Sequence, residues 1–192
     1  MSSKTRDKIL TVASKLFGRY GFNKTSMDEI AKIARKAKGS LYYHFHSKEV
    51  LFTEVVKREM SHLKVELTKI CQDENLDARE KLKQYIVVRM NTIENAVNYN
   101  ETVRADFFEH FDFIDELRND IDNWEKEQLR AIVVQGNEEG TFKELKDIDV
   151  GLETFIMLIK GMELSYFLKD SRTQNYPSFE RVADILIYGV TR

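Results

Sequence analysis

The sequence predicts an all-α protein of about nine helices. Three observations lead there. One proline, Pro177, and eight glycines punctuate 192 residues, which favours long helices over many short strands. Apolar residues recur at the helical period through most of the chain. No segment sustains the two-residue alternation of a half-buried strand.

The elements follow in order. Ile9, Ala13, Leu16, Phe17 and Tyr20 line one face of a first helix, and Gly21 stands at its stop. Ser26-Met27-Asp28-Glu29 reads as a capping box opening a short second helix through Ile30, Ala31, Ile33 and Ala34. A third short helix runs near Lys38 to His44. Ser47 caps a long fourth, with Phe52, Val56, Met60, Leu63 and Leu67 on one face. Leu82, Ile86, Met90, Ile93 and Val97 mark a fifth, and Val103, Phe107 and Phe111 a short sixth. Ile114, Leu117, Ile121, Trp124 and Ile132 mark a long seventh ending in the stretch from Gly136 to Gly140. Two more helices are expected at roughly 147–169 and 178–190.

Composition narrows the function. Hydrophobic residues make up 42% and charged residues 32%, an ordinary soluble mix with length enough for a sizeable core. Purely apolar stretches run only a few residues, so no membrane span is expected. The charged amphipathic start does not resemble a signal peptide. Cys71 is the lone cysteine, so no internal disulfide can form; a cytoplasmic location fits. The net charge of −2 is unevenly spread. Residues 1–50 carry eleven Lys/Arg against four Asp/Glu, a net of +7, and the other 142 carry nineteen against twenty-eight, a net of −9. A basic head on an acidic body suits a polyanion-binding module joined to a second function.

A helix-turn-helix needs a bracing helix, a second over the DNA backbone and a third entering the major groove. The third helix here is Lys38-Gly39-Ser40-Leu41-Tyr42-Tyr43-His44, followed by Phe45. Leu41 and Phe45, four apart, can both face inward. Gly39 lets the backbone approach DNA closely. Ser40 offers a donor and an acceptor, and the phenols of Tyr42 and Tyr43 can hydrogen-bond phosphate oxygens. Lys36 and Lys38 can reach guanine edges or phosphate. Lys48 sits beside free amides at the start of the fourth helix, which together suit a phosphate.

At these residues the chain resembles the TetR family of bacterial repressors. The resemblance runs from Thr5 to Phe52. It includes Phe17-Gly18-Arg19-Tyr20-Gly21-Phe22, Thr25-Ser26-Met27-Asp28-Glu29-Ile30-Ala31, the third helix, and Ser47-Lys48-Glu49-Val50-Leu51-Phe52. It implies that Lys38, Gly39, Ser40, Tyr42, Tyr43 and His44 lie at the DNA surface, that Thr25 and Lys48 contact phosphates, and that the protein is a homodimer. The expected DNA-binding set is Thr25, Lys36, Ala37, Lys38, Gly39, Ser40, Tyr42, Tyr43, His44 and Lys48. Two residues depart from the family pattern. Arg35 stands where the family usually has glycine, and Ala37 where a capping Ser or Thr is common. A left-handed backbone at Arg35 would cost about 1–2 kcal/mol, and a missing cap roughly 0.5–2 kcal/mol, which points to a turn built differently, with Lys36 or Arg35 on phosphate instead.

Residues 1–48 are thus expected to form the DNA-binding domain and 49–192 a helical effector-binding and dimerisation domain. The resemblance implies a small-molecule pocket in the latter. Its aromatic crowding supports one, with Tyr85, Met90, Ile93, Phe107, Phe108, Phe111, Trp124 and Phe155 as lining candidates; for any one of them a place in the core is the favoured reading. The last two helices are apolar over much of their circumference. Ile159, Met162, Tyr166, Val182, Ile185 and Leu186 are the expected dimer contacts, with burial inside one subunit the alternative. Such a dimer would read a near-palindromic double-stranded operator, and an effector favouring another spacing of the heads would release it. The unbroken apolar face from Phe52 to Leu67 makes the fourth helix the expected lever.

No catalytic or cofactor site is expected. His44 and His46 are two apart, and His62 and Cys71 are nine apart with no further ligand nearby, so no metal site is expected. Asp106, Glu109, Asp112 and Asp115 read as a solvated face. Two rival readings are a helical module binding an acidic protein and a small helical enzyme. The first predicts no sequence-specific DNA affinity; the second predicts convergent titratable groups that the sequence does not show.

Overall fold

The computed structural model describes residues 2–108, 112–144, 146–168 and 177–191, apart from the side chains of 2, 3, 104–108, 164, 167 and 168. Among the described residues nine α-helices follow one another: α1 Ser2–Tyr20, α2 Met27–Ala34, α3 Lys38–His44, α4 Lys48–Cys71, α5 Ala78–Glu94, α6 Val97–Phe108, α7 Asp115–Glu138, α8 Ile148–Leu168 and α9 Phe179–Val190. A 3-10 turn at Asp112–Ile114 precedes α7. The only β pairing described is an isolated bridge between Phe142 and Thr191.

The chain forms two compact units. The first comprises Met1–Ser61 and Ala96–Leu117. Ile9, Ala13 and Phe17 of α1, Ile30 and Ala34 of α2, Leu41, Phe45, and Leu51, Phe52, Val55 and Val56 of α4 make its core. Phe17, Phe22, Phe52 and Phe113 cluster with ring centroids 5.0–6.3 Å apart, a spacing at which aromatic pairs attract beyond simple burial. Tyr20, expected on the apolar face of α1, is instead exposed. It occupies the last residue of α1, beyond the packed turns.

α6 belongs to this first unit. Its start is capped from α4: Glu59 accepts from Asn98 Nδ2 at 2.6 Å and from the Tyr99 amide at 2.9 Å. Burial pushes the Glu59 carboxyl above its usual range despite these donors. Val97 therefore opens α6 rather than continuing α5, which ends at Glu94. Farther along α6, Glu101 accepts from the Phe22 amide at 2.6 Å and lies against Gly21, whose φ of +86° suits glycine.

The second unit comprises His62–Asn95 and Arg118–Arg192. Leu82, Ile86, Met90 and Ile93 of α5 bury with Leu129 and Ile132 of α7, Leu152 and Ile159 of α8 and Ala183 and Ile187 of α9. α7 ends at Glu138, inside the stretch from Gly136 to Gly140 as expected; Gly136 itself lies within the helix, where a methyl group would collide with the Phe142 ring. The chain turns after it, at Gly140 with φ +69°. Phe142 then pairs with Thr191, and the Lys143 amide donates to Val190 O at 2.9 Å.

A charged cluster lies inside this unit. Arg89 is 2% exposed. Its Nε and Nη2 donate to the two oxygens of Glu125 at 2.6 and 2.9 Å, and its Nη1 donates to Glu163. The Tyr85 hydroxyl donates to Glu125 Oε1 at 2.8 Å. Burial favours the neutral form of both carboxyls. At Glu125 the two-pronged Arg89 contact and the Tyr85 hydrogen bond outweigh burial and hold the carboxyl below its usual range. At Glu163 burial wins over Arg89 and the carboxyl is raised.

Candidate nucleic-acid interface

The helix-turn-helix is built from local rules. Ser26 Oγ accepts from the Glu29 amide at 3.2 Å, and the Glu29 carboxylate accepts from the Ser26 amide at 3.0 Å, so the capping box forms as expected. At the far end of α2, the Lys36 amide donates to Ala31 O and the Arg35 amide to Lys32 O, at 3.0 and 3.1 Å. This Schellman closure places Arg35 at φ 53°, ψ 49°, in the left-handed region. Arg35 is the first of the two departures named from the sequence. Ala37 precedes α3 and provides no side-chain cap. The turn thus keeps its geometry with a non-glycine residue and carries strain. Arg35→Gly is expected to raise stability by about 1 kcal/mol, read as a higher urea midpoint with unchanged slope. An equal or lower midpoint would show that the Arg35 side chain offsets the strain.

Leu41 and Phe45 are fully buried, as their spacing predicts. That fixes the rotation of α3. The opposite face presents Lys38, Gly39, Tyr42 and Tyr43, with Ser40 and His44 half-buried at its edges. Tyr43 is 82% exposed and Tyr42 41%. The Tyr43 ring stands edge-on to His44 at 5.2 Å. A side-chain carbon at Gly39 would meet nothing, so this stretch of backbone is open to a groove.

The other expected contacts are engaged within the protein. Thr25 is buried, and its hydroxyl donates to Gly21 O at 2.8 Å, tying the link between α1 and α2. Lys48 Nζ donates to Phe22 O at 3.0 Å and lies 4.3 Å from the centre of the Phe22 ring. Lys36 Nζ donates to Thr5 Oγ1 at 3.2 Å. Lys38 pairs with Asp28 at 2.8 Å. Sequence reasoning missed Asp28, and also Arg6, which pairs with Glu54 and lies over the Phe45 ring at 5.2 Å. Neither partner sits at a helical spacing that a local rule would flag.

In the second unit the expected pocket residues separate. Tyr85, Met90 and Ile93 are core residues, each at most 1% exposed. They lie on the inner face of α5, where the buried cluster holds Tyr85. Trp124 is half-buried under Lys64 Nζ, 5.2 Å from its ring centre. Phe155 lines an apolar cavity of about 60 Å³ with Leu82, Leu129, Phe142 and Leu152. That volume is far below the roughly 300–1,000 Å³ of an organic ligand site. Phe111 and the side chains of Phe107 and Phe108 lie outside the described residues. Among the described residues no cluster of His, Cys, Asp or Glu could hold a metal ion, and no helix is long and apolar enough to cross a membrane.

The expected dimer contacts also divide. Ile159 is 1% exposed and belongs to the unit's own core. It faces inward because the helical period sets it one turn from Phe155 and Glu163, which also face that side. Met162, Val182 and Leu186 are half-buried. Tyr166 is half-buried, with its hydroxyl donating to Pro177 O at 2.7 Å. Ile185 is 71% exposed, and Met157, Leu158 and Tyr188 are exposed with it. An open groove of about 530 Å³ runs beside Ile156 and Met157, edged by the Lys160–Asp122 and Lys126–Glu153 ion pairs.

Residues 9–55 match the family model described as "Bacterial regulatory proteins, tetR family". The HTH-type transcriptional regulator QacR of Staphylococcus aureus is 33% identical over 142 residues, covering 70% of this chain and 72% of QacR. The chain belongs to the TetR family. A second TetR-type relative, the HTH-type transcriptional repressor KstR2 of Mycolicibacterium smegmatis, is 30% identical over 153 residues, covering 76% of this chain and 71% of KstR2. The TetR fold extends over the whole chain. A Saccharomonospora viridis protein solved in complex with choline superposes with a TM-score of 0.81, covering 99% of both chains at 19% identity. As a TetR-family member the protein is a DNA-binding regulator of transcription, and its helix-turn-helix is the reading head.

Proposed function

We propose that the protein is a homodimeric repressor that binds a near-palindromic operator through α3 and leaves it when a small-molecule effector binds residues 49–192. One observation carries the DNA half. α3 is rotated by two buried side chains so that Tyr42, Tyr43, Gly39 and Lys38 face solvent together. A glycine-opened face of two phenols and an ammonium has no use in the core and fits a major groove. Phosphate contacts from Lys36, Lys48 and Thr25 would require each to exchange an internal partner for a phosphate, since the Thr25 amide also donates to Phe22 O at 3.3 Å.

Dimerisation is supported by the exposed apolar residues of α8 and α9, Met157, Leu158, Ile185 and Tyr188. Large apolar side chains left to solvent on both helices suit burial against a second copy. Two reading heads spaced by about 34–36 Å then address successive turns of one face of the duplex. Repression follows the KstR2 relative. The same fold holds choline in the Saccharomonospora viridis protein, so it accommodates a small organic molecule. Effector and operator then weaken each other by the same factor.

The test is selection of bound fragments from random duplexes, followed by affinity titration of the full chain against salt. A near-palindromic site bound by two chains, with a steep negative salt slope, is expected. Tyr43→Ala should weaken operator binding about tenfold, the loss of one hydrogen bond to a charged group, with no change in thermal midpoint. Equal weak binding to every duplex would overturn the proposal.

A further inference from the structure

Lys38 is the single Lys or Arg of α3, and it is not free. Its ammonium lies 2.8 and 2.9 Å from the two carboxylate oxygens of Asp28 in the first turn of α2. Glu29, the next residue, forms the capping box, so Asp28 is not needed to start the helix. Both members of the pair are well exposed. Lys38 Nζ also lies 5.9 Å from the centre of the Tyr42 ring. A carboxylate beside a reading helix is repelled by phosphates, and it neutralises the one cation that α3 would offer to any duplex.

We infer that Asp28 is a specificity-determining residue of the DNA surface: by holding Lys38 it withholds that charge from non-cognate DNA and thereby widens the gap between operator and random sequence. The inference rests on the DNA-reading role proposed above. Non-specific affinity comes almost wholly from cations on phosphates, whereas hydrogen bonds and apolar contacts to base edges distinguish sequences. An exposed ion pair is weak and exchanges readily. Lys38 can therefore leave Asp28 once a cognate groove supplies a better partner, while on a non-cognate duplex it gains little by leaving. Specificity here comes from a built-in penalty on the wrong partner as well as from attraction to the right one. The pairing also lifts the Lys38 pKa, chiefly through the Asp28 hydrogen bond and then its charge.

The experiment compares the unmodified protein, Asp28→Asn, Lys38→Gln and the double variant. Each is titrated by fluorescence anisotropy onto the selected operator and onto a random duplex of equal length, across a salt series. Asp28→Asn is expected to tighten random-duplex binding about two- to fivefold. The slope of log K against log salt should steepen by about 0.9 for each head on the DNA. Operator affinity should rise less, so the specificity ratio falls, and adding Lys38→Gln should abolish the gain. Unchanged random-duplex affinity and slope in Asp28→Asn would overturn the inference. So would weaker operator binding confined to sites with one particular base, which would make Asp28 a direct reader of cytosine. Absence of any preferred site for the unmodified protein would instead overturn the DNA-reading role itself. Thermal midpoints show whether all four proteins fold.

Discussion

Arg89→Met should destabilise the protein by about 3–5 kcal/mol at neutral pH, the cost of breaking a buried ion pair from one side. Arg89 is 2% exposed and serves two carboxylates, binding both oxygens of Glu125 and one of Glu163. Methionine fills similar volume but leaves both glutamates inside the unit without that cation. Against a typical domain stability of about 5–15 kcal/mol, this would remove a large share. The loss should be smaller at acid pH, because a buried carboxyl without its cation can take a proton. In the unmodified protein Glu163 acts in the same direction. Its folded-state pKa is raised by burial. Its contribution to stability is therefore fully present below the ordinary glutamate range and is lost as pH rises through the raised value. Glu163→Gln should remove that downward slope while leaving the Arg89–Glu125 pair intact. Urea unfolding at pH 5 and pH 8, at one protein concentration, measures both effects. A deficit under 1 kcal/mol for Arg89→Met at both pH values would show that the cluster is not what joins α5, α7 and α8.

The second large effect concerns Leu41→Ala. α3 has seven residues, far too short to persist alone in water. It stays helical because Leu41 and Phe45 are buried against the first unit. Truncating a fully buried leucine costs about 2–5 kcal/mol. Here the cost falls on the element that reads DNA. Operator affinity should fall at least tenfold, in proportion to the fraction of molecules with α3 docked, and the thermal midpoint should fall with it. Tyr43→Ala supplies the contrast, weakening binding without moving the midpoint. If Leu41→Ala kept both its midpoint and its operator affinity, the inward face of α3 would be wrongly assigned.

Much of the reading head was legible in the residues. The Ser26–Glu29 capping box, the inward pair Leu41 and Phe45 and the Ser47 cap, whose hydroxyl accepts from the Val50 amide at 3.2 Å, all arise within one turn of helix. The turn after α2 was not legible: Arg35 in place of the family's usual glycine pointed to a turn built differently, yet Arg35 adopts the left-handed conformation. The expected effector pocket fared differently. Tyr85, Met90 and Ile93 share a helical face, and periodicity cannot say whether such a face meets a ligand or its own core.

By itself the sequence determined the all-α class, the helix order and the orientation of α3, because each depends on residues three or four apart whose contacts the helix geometry dictates. The tertiary structure decided the rest. It brought Arg89 to Glu125 and Glu163, thirty-six and seventy-four residues away, and placed Glu101 on the Phe22 amide seventy-nine residues back. It set Asp28 on Lys38 across the turn and buried Ile159 while leaving Ile185 exposed. A charged side chain signals that it needs a partner, but no local spacing names one. That choice rests on how whole helices pack, where burial makes an unmatched charge costly and solvent makes a matched one nearly neutral.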